Sequence, residues 1–307
     1  MRTLKEYALL TEETINSLLP EAKTPGLGRY EIPALLVESM RYSLMAGGKR
    51  LRPAMLMAAC EMLGGKLENA RVSAACLEMI HTYSLIHDDL PGMDDDTLRR
   101  GKPTNHVIFG VGQAILAGDA LLNSAYELML KDALKRHAAD PAYDLTGTVR
   151  AVHAIAENAG ASGMIAGQTI DLACEKGSIG SDLETLRLMQ FAKTSCLFTA
   201  AVTAGAHLAS ANDDELAALK GFAASFGLLF QTVDDILDVK SDPVTLGKST
   251  GKDEKSGKLT AVTFMGLKKA QKEAELLRDE CLASLGMFGD RAAFFTELTN
   301  MSLSRRS

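Results

Sequence analysis

Glu78-Met79-Ile80-His81-Thr82-Tyr83-Ser84-Leu85-Ile86-His87-Asp88-Asp89-Leu90-Pro91-Gly92-Met93-Asp94-Asp95-Asp96 passes from an apolar helical run into five carboxylates within nine residues. Such density repels itself unless cations are present. On an unbroken helix Asp88 and Asp94 would point about 120° apart, but Pro91-Gly92 breaks the helix and lets the chain bring Asp94 back. A second cluster, Asp234-Asp235-Ile236-Leu237-Asp238, is embedded in the apolar run from Phe222 to Val239. There Asp234 and Asp238 stand one turn apart, about 40° from each other, and share a face. One acid cluster alone is an ordinary solvated loop. Two, both attached to apolar helices and without Cys or neighbouring His ligands, make a hard-oxygen site suited to Mg²⁺, which takes one or two carboxylates plus substrate phosphates.

The rest of the chain favours helix. Ala, Leu, Met, Glu and Lys are abundant, proline is scarce, and the β-branched alternation of strands is hard to find. Long helices are expected over 35–45, 53–63, 69–87, 114–133, 149–160, 183–208, 213–239 and 261–285. Several are apolar around their whole circumference, which buries them inside a bundle. Breaks fall at Gly47-Gly48, Gly64-Gly65, Pro91-Gly92, Gly101 with Pro103, Gly177 to Gly180 and the polar run Lys240 to Lys258, while Asn212-Asp213 with Glu215 looks like a helix start. No repeat or linker divides the chain, so one all-α domain over residues 1–307 is expected.

Composition narrows the function. The chain has 33 basic and 39 acidic side chains (33 − 39 = −6), with no basic run to favour nucleic acid. The apolar stretch from Phe198 to Ala211 is shorter than the roughly 20 residues of a spanning helix, and the first twenty residues lack the apolar centre of a secretory signal. Five cysteines, at 60, 76, 174, 196 and 281, form no CxxC pair and suggest neither a disulfide framework nor a thiolate zinc site. A soluble, cytoplasmic protein is expected.

Metal ions flanked by carboxylates call for a phosphorylated substrate, and the chain supplies cations to hold one. Gly47-Gly48-Lys49-Arg50-Leu51-Arg52-Pro53 sets three positive charges beside a glycine pair, and Arg99-Arg100-Gly101-Lys102-Pro103-Thr104 follows the first acid cluster. Arginines in such positions bind phosphate bidentately. Lys193-Thr194 lies in a helix, and Lys248, Lys252 and Lys258 follow the second cluster. Each basic group alone has a mundane reading as a turn, a solvated loop or a snorkelling lysine; their joint presence with two aspartate clusters does not.

Together these motifs resemble the class I trans-isoprenyl diphosphate synthases, most closely the bacterial-type farnesyl diphosphate synthases. The resemblance runs from about Arg29 to Leu267 and includes Leu116-Ala117-Gly118-Asp119-Ala120-Leu121, Gly167-Gln168 with Asp171, and Phe230-Gln231-Thr232-Val233-Asp234. It implies an isoprenoid synthase bundle enclosing a deep central cavity with the two aspartate motifs at its mouth. Asp88, Asp94 and Asp234, then Asp89 and Asp238, would ligate Mg²⁺, three ions per site when diphosphate is bound. Arg99, Lys193, Lys248 and Lys258 would grip the allylic diphosphate, and Lys49, Arg52, His81 and Arg100 the homoallylic isopentenyl diphosphate. The Thr194 hydroxyl, the Gln231 amide and the Lys193 backbone would face the allylic cation.

The same resemblance gives Tyr83 and the neighbouring Ser84 control of product length. Tyr83 is five residues, about 7.5 Å, below Asp88, although on the helical flank at about 140°. An aromatic residue there together with Pro91-Gly92 looks like the farnesyl type. His81, two turns before Asp88, suits a diphosphate contact, and no His-rich spacing argues for zinc. After Lys258 the chain departs from the family's usual pattern, reading Leu259-Thr260-Ala261-Val262-Thr263. Arg305-Arg306 looks like a solvated tail. The resemblance also implies a homodimer. The competing readings are a geranylgeranyl or geranyl diphosphate synthase, a non-catalytic prenyl-diphosphate-binding subunit, and a terpene cyclase. The cyclase has no need of Lys49, Arg52 and Arg100.

Overall fold

A computed structural model describes residues 2–19, 32–180, 182–240 and 260–305. The described chain is built of helices: α1 Leu4–Leu18, α2 Ala34–Leu44, α3 Leu51–Met62, α4 Leu67–Asp88, α5 Asn105–Phe109, α6 Val111–Ala139, α7 Leu145–Ala159, α8 Met164–Glu175, α9 Leu183–Gln190, α10 Cys196–Leu208, α11 Asp213–Lys240, α12 Ala261–Met265, α13 Leu267–Ser284 and α14 Ala293–Ser304. Between α4 and α5 lies a minimal hairpin, β1 Leu98–Arg99 with β2 Lys102–Pro103. Its two turn residues, Arg100 and Gly101, both have positive φ, 53° and 73°, as a type I′ turn requires.

Burial follows composition. In α10, Leu197, Phe198, Ala200, Ala201, Val202 and Ala204 are fully buried, and this helix packs against α3, α7 and α11. A helix apolar on all sides is stable only when surrounded. Helix α4 lies along α6 and α3, and α11 along α13. Among the described residues Asp213–Val239 is long and apolar enough, by length and composition, to cross a membrane. In this bundle it is a core element that α10, α13 and α14 flank.

The all-α expectation holds, with local departures. The expected helix 183–208 is interrupted at Phe191–Ser195 by a π turn, in which the Cys196 N–H reaches back five residues to the Phe191 carbonyl. The expected helix 261–285 is split at Gly266, whose φ of 77° no helix accommodates. Helices α1, α8 and α14 carry no expectation from the sequence. In α1, Thr3 and Glu6 form a reciprocal capping box. The Asn212 start behaves as expected: its Oδ1 accepts from the Glu215 N–H at 2.9 Å, and Glu215 accepts from the Asn212 N–H at 3.1 Å.

Candidate active site

Helix α4 ends at Asp88, and the turn through Pro91-Gly92 returns the chain so that the Asp94 N–H donates to the Asp88 carbonyl at 2.9 Å. The two acids therefore stand together, as the sequence leads one to expect. Burial pushes the Asp88 carboxyl up to about 6; Lys193 opposes the rise while Asp94 adds to it. Asp89 faces elsewhere. It is 3% exposed, and both its oxygens accept from the Arg99 guanidinium at 2.7–2.9 Å. Two residues assigned to different ligands, Asp89 to metal and Arg99 to the allylic diphosphate, are thus bonded to each other. Asp95 is exposed, with φ of 49°.

On the opposite side α11 presents Asp234, half-buried, with Asp238 one turn on. Between them in sequence, Asp235 is rotated into the bundle, 6% exposed. It accepts from Gln190 Nε2 at 3.1 Å, Gln231 Nε2 at 3.0 Å and the Ala261 N–H at 2.8 Å. Arg305 is no solvated tail. Its side chain is only 12% exposed, lies 3.0 Å from Asp234 Oδ1, donates to the Phe230 carbonyl at 3.0 Å and covers the Phe230 ring at 4.0 Å. No role at the site is read from the sequence for Arg305 or Asp235.

The π turn packs against α8 and α11. Lys193 Nζ donates to Asp171 at 2.6 Å, and the Thr194 hydroxyl donates to the Gln231 carbonyl oxygen at 3.2 Å. Lys193 is also close enough to Asp88 to oppose the rise of its pKa. The three residues expected to face the allylic cation, Lys193, Thr194 and Gln231, are therefore brought together. π turns recur at functional sites because they bulge a helix by one residue.

The cations form a second group. Gly47 and Gly48 have φ of 88° and 135°, and the Arg100 guanidinium lies on them, donating to the Gly47 carbonyl. A Cβ at Gly48 would come within 2.9 Å of that guanidinium carbon, so the glycine pair is a seat for Arg100. Arg52 donates to His81 Nε2 at 3.3 Å and stacks over Phe198 at 4.5 Å. Because arginine only donates, this bond fixes Nε2 as the acceptor of His81. Burial, then Arg52, hold the His81 pKa well below its ordinary 6.5, so the ring is neutral at pH 7. Burial also lowers Arg52 to about 10 and depresses Lys49, with Arg305 adding to the effect on Lys49. Arg50, which the sequence places beside them, is instead structural: 2% exposed, it pairs with buried Glu78 at 2.7 Å. Breaking such a pair costs about 3–5 kcal/mol.

Tyr83 is 6% exposed and meets His87 edge-to-face at 5.7 Å, while the Ser84 hydroxyl donates to the His81 carbonyl at 2.9 Å. His87 Nε2 stands 3.1 Å from the Ile115 carbonyl. A small cavity of about 30 Å³ lies where the end of α4 meets the hairpin, lined by Thr82, Asp89, Arg99, Arg100, Thr104 and Asn105 among others. Lys248 and Lys258 lie outside the described residues. Among the described residues no three His, Cys, Asp or Glu side chains converge as a complete chelate.

The chain is similar to known proteins along most of its length. The family model described as polyprenyl synthetase matches residues 33–284. A relative named geranylgeranyl diphosphate synthase, from Cyanophora paradoxa, is 41% identical over 99% of this chain and 96% of its own length. An FPP/GFPP synthase structure from Zymomonas mobilis superposes with a TM-score of 0.83 at 34% identity, covering 98% of this chain and 97% of that one. A geranyltransferase from Helicobacter pylori, solved in complex with magnesium and isoprenyl diphosphate, gives 0.78 at 30% identity, over 98% and 96%.

Proposed function

The chain belongs to the polyprenyl synthetase family and is a trans-prenyltransferase acting on prenyl diphosphates; on that premise we propose that it extends allylic diphosphates with isopentenyl diphosphate to geranylgeranyl diphosphate. The observation that carries the reaction is the π turn, which sets Lys193 on Asp171 of α8 within electrostatic reach of Asp88 and Thr194 on Gln231 of α11, while Lys49, Arg52, His81 and Arg100 form a second group of polar side chains. Lys193 and Arg99, with Lys248 and Lys258 from the sequence, bind the allylic diphosphate. Lys49, Arg52 and Arg100 bind isopentenyl diphosphate, and neutral His81 orients Arg52.

Asp88, Asp94 and Asp234, then Asp238, are the proposed Mg²⁺ residues, supported by their oxygen-only chemistry and by the magnesium in the Helicobacter pylori relative, while Asp89, bonded through both oxygens to Arg99, holds that guanidinium instead. Bound there, Mg²⁺ supplies charge stabilisation for a departing diphosphate. The allylic C–O bond breaks, Thr194 and Gln231 turn their dipoles to the cation, and the isopentenyl double bond attacks it. Loss of a proton to the released diphosphate completes the step without a side-chain nucleophile.

For product length, the 41% identical relative favours the geranylgeranyl reading over the farnesyl one that Tyr83 suggests in the sequence. The farnesyl product remains the second reading, favoured by the buried ring of Tyr83 one turn and a half from Asp88. The proposal includes a homodimer, supported by the exposed apolar residues of α5 and α6, and a cytoplasmic setting, supported by five free cysteines. Purified protein incubated with radiolabelled isopentenyl diphosphate, an allylic diphosphate and Mg²⁺, then dephosphorylated and chromatographed, tests the function. A twenty-carbon prenol is expected, a fifteen-carbon one selects the farnesyl reading, and no prenol from folded protein refutes the transferase.

A further inference from the structure

The π turn Phe191–Ser195 is wider than the α-helices on either side of it and lies between α8 and α11. Each neighbour meets it with a buried glycine. On α8, a methyl group at Gly167 would lie 2.5 Å from Lys193 Cα and 2.7 Å from the Ala192 carbonyl carbon. On α11, a methyl group at Gly227 would lie 2.5 Å from Ser195 Cα and 2.6 Å from its Cβ. Carbon atoms pack at about 3.5–4.0 Å, and apart from the Ser195 hydroxyl oxygen, which the methyl at Gly227 also meets, the atoms met are main chain or the first side-chain carbon, which cannot swing aside.

One helical turn beyond each glycine stands a polar residue that holds the turn's functional groups. Asp171, four residues after Gly167, accepts from Lys193 Nζ at 2.6 Å. Gln231, four residues after Gly227, accepts from the Thr194 hydroxyl at 3.2 Å. Residues four apart share a helix face. On both helices, then, the glycine sets how closely the turn approaches and the polar residue sets where its side chain points. The same pairing on two unrelated helices separates this from ordinary close packing.

We propose that Gly167 and Gly227 are positioning residues that clamp the π turn, so that Lys193 and Thr194 are held to their Asp171 and Gln231 partners at the allylic end of the site. The catalytic part of this inference rests on the transferase reading above. An added methyl group on either helix displaces the turn, lengthens these two hydrogen bonds and leaves the isopentenyl group of Lys49, Arg52 and Arg100 in place.

The test compares Gly167→Ala and Gly227→Ala with Gly147→Ala. That control methyl meets the His207 carbonyl at 2.8 Å, away from the site. Two readouts are taken: kinetics with allylic and isopentenyl diphosphates, and amide hydrogen exchange over 190–197. For the clamp variants kcat is expected to fall about 10²-fold, the scale of an ångström's misplacement. The KM for isopentenyl diphosphate should be unchanged, with faster exchange confined to the π turn. Gly147→Ala should alter neither. Unchanged exchange and kcat in folded clamp variants, or losses no larger than in the control, overturn the proposal.

Should a single variant not fold, Gly227→Ala with Ser195→Gly removes two of the atoms the methyl meets and supplies folded protein for both readouts. If that variant also fails while Gly147→Ala folds, the glycines serve folding rather than placement and the proposal is wrong. A wild-type protein without prenyl transfer sinks the functional reading alone, because the exchange experiment still decides whether the clamp exists.

Discussion

At Asp88 stability and chemistry oppose each other. Burial lifts its carboxyl from an ordinary 3.8 to about 6. At pH 7 the folded chain therefore holds a charge that water would stabilise better. This cost disappears as pH falls from about 6 towards 4, where the folded state takes up its proton before the unfolded one does. Asp88→Asn should accordingly raise the stability of the cation-free protein at pH 7 by on the order of 1 kcal/mol. The gain should fade near pH 4 in a series of melting curves. The same substitution, and Asp234→Asn, should lower Mg²⁺-dependent turnover about 10²–10³-fold, with circular dichroism unchanged. Tyr83 makes a second prediction: with its ring removed in Tyr83→Ala, prenol chromatography should show a longer product, and an unchanged product would place the floor of the tail pocket elsewhere. The pairing of Asp88 with Asp94 was legible because it depends on six residues and one Pro-Gly break. The partner of Arg305 was not, because Asp234 is 71 positions away and only the packed bundle brings them together.

Among the elements, the helices that the sequence revealed are those with long apolar faces, and their ends fell within a few residues of the observed ones because Gly, Pro and Asn mark them. Helix α1 was missed because its charges are spread among its leucines, and α8 because glycine runs flank it. The π turn left no sequence signal, since Phe191 to Ser195 continues the apolar pattern of α9 into α10; what creates it is the pair of neighbouring helices. Asp235 ties these elements together, accepting from α9 through Gln190, from its own helix through Gln231, and from the first N–H of α12 through Ala261. Asp235→Ala strands three donors and should destabilise the fold by about 3 kcal/mol, read as a lower urea midpoint with an unchanged slope. Its neighbour Asp234 lies about 100° around the helix, so the Mg²⁺ concentration needed for half-maximal activity should stay the same in this variant.

At the scale of the whole molecule, the chain leaves one helix face uncovered. Leu116, Leu130 and Leu134 of α6 point within about 40° of one another and are 57%, 47% and 65% exposed. Ile108 of α5 and Val111 and Ile115 of α6 are exposed as well, Val111 and Ile115 about 140° and 100° around the helix from Leu116. The opposite side of α6 packs on α4, whose last residue is Asp88, and His87 reaches across to the Ile115 carbonyl. These exposed leucines share the face with the exposed polar residues Asn123 and Glu127, a mixture of the kind found at protein–protein interfaces. In the proposed homodimer this face would meet its counterpart on a second copy, since two-fold contacts place the same stripe on both partners. Charged substitution should separate the copies: Leu116→Glu with Leu134→Glu is expected to sediment as a monomer at concentrations where the wild type sediments as a dimer, with its helical content retained. Because α6 also packs on the end of α4, the monomer should lose activity through Asp88 and not through Lys49 and Arg52, which α6 does not carry. Its KM for isopentenyl diphosphate should therefore hold while kcat falls. A wild-type chain that already sediments as a monomer would remove the dimer from the proposal and leave the apolar stripe to another partner.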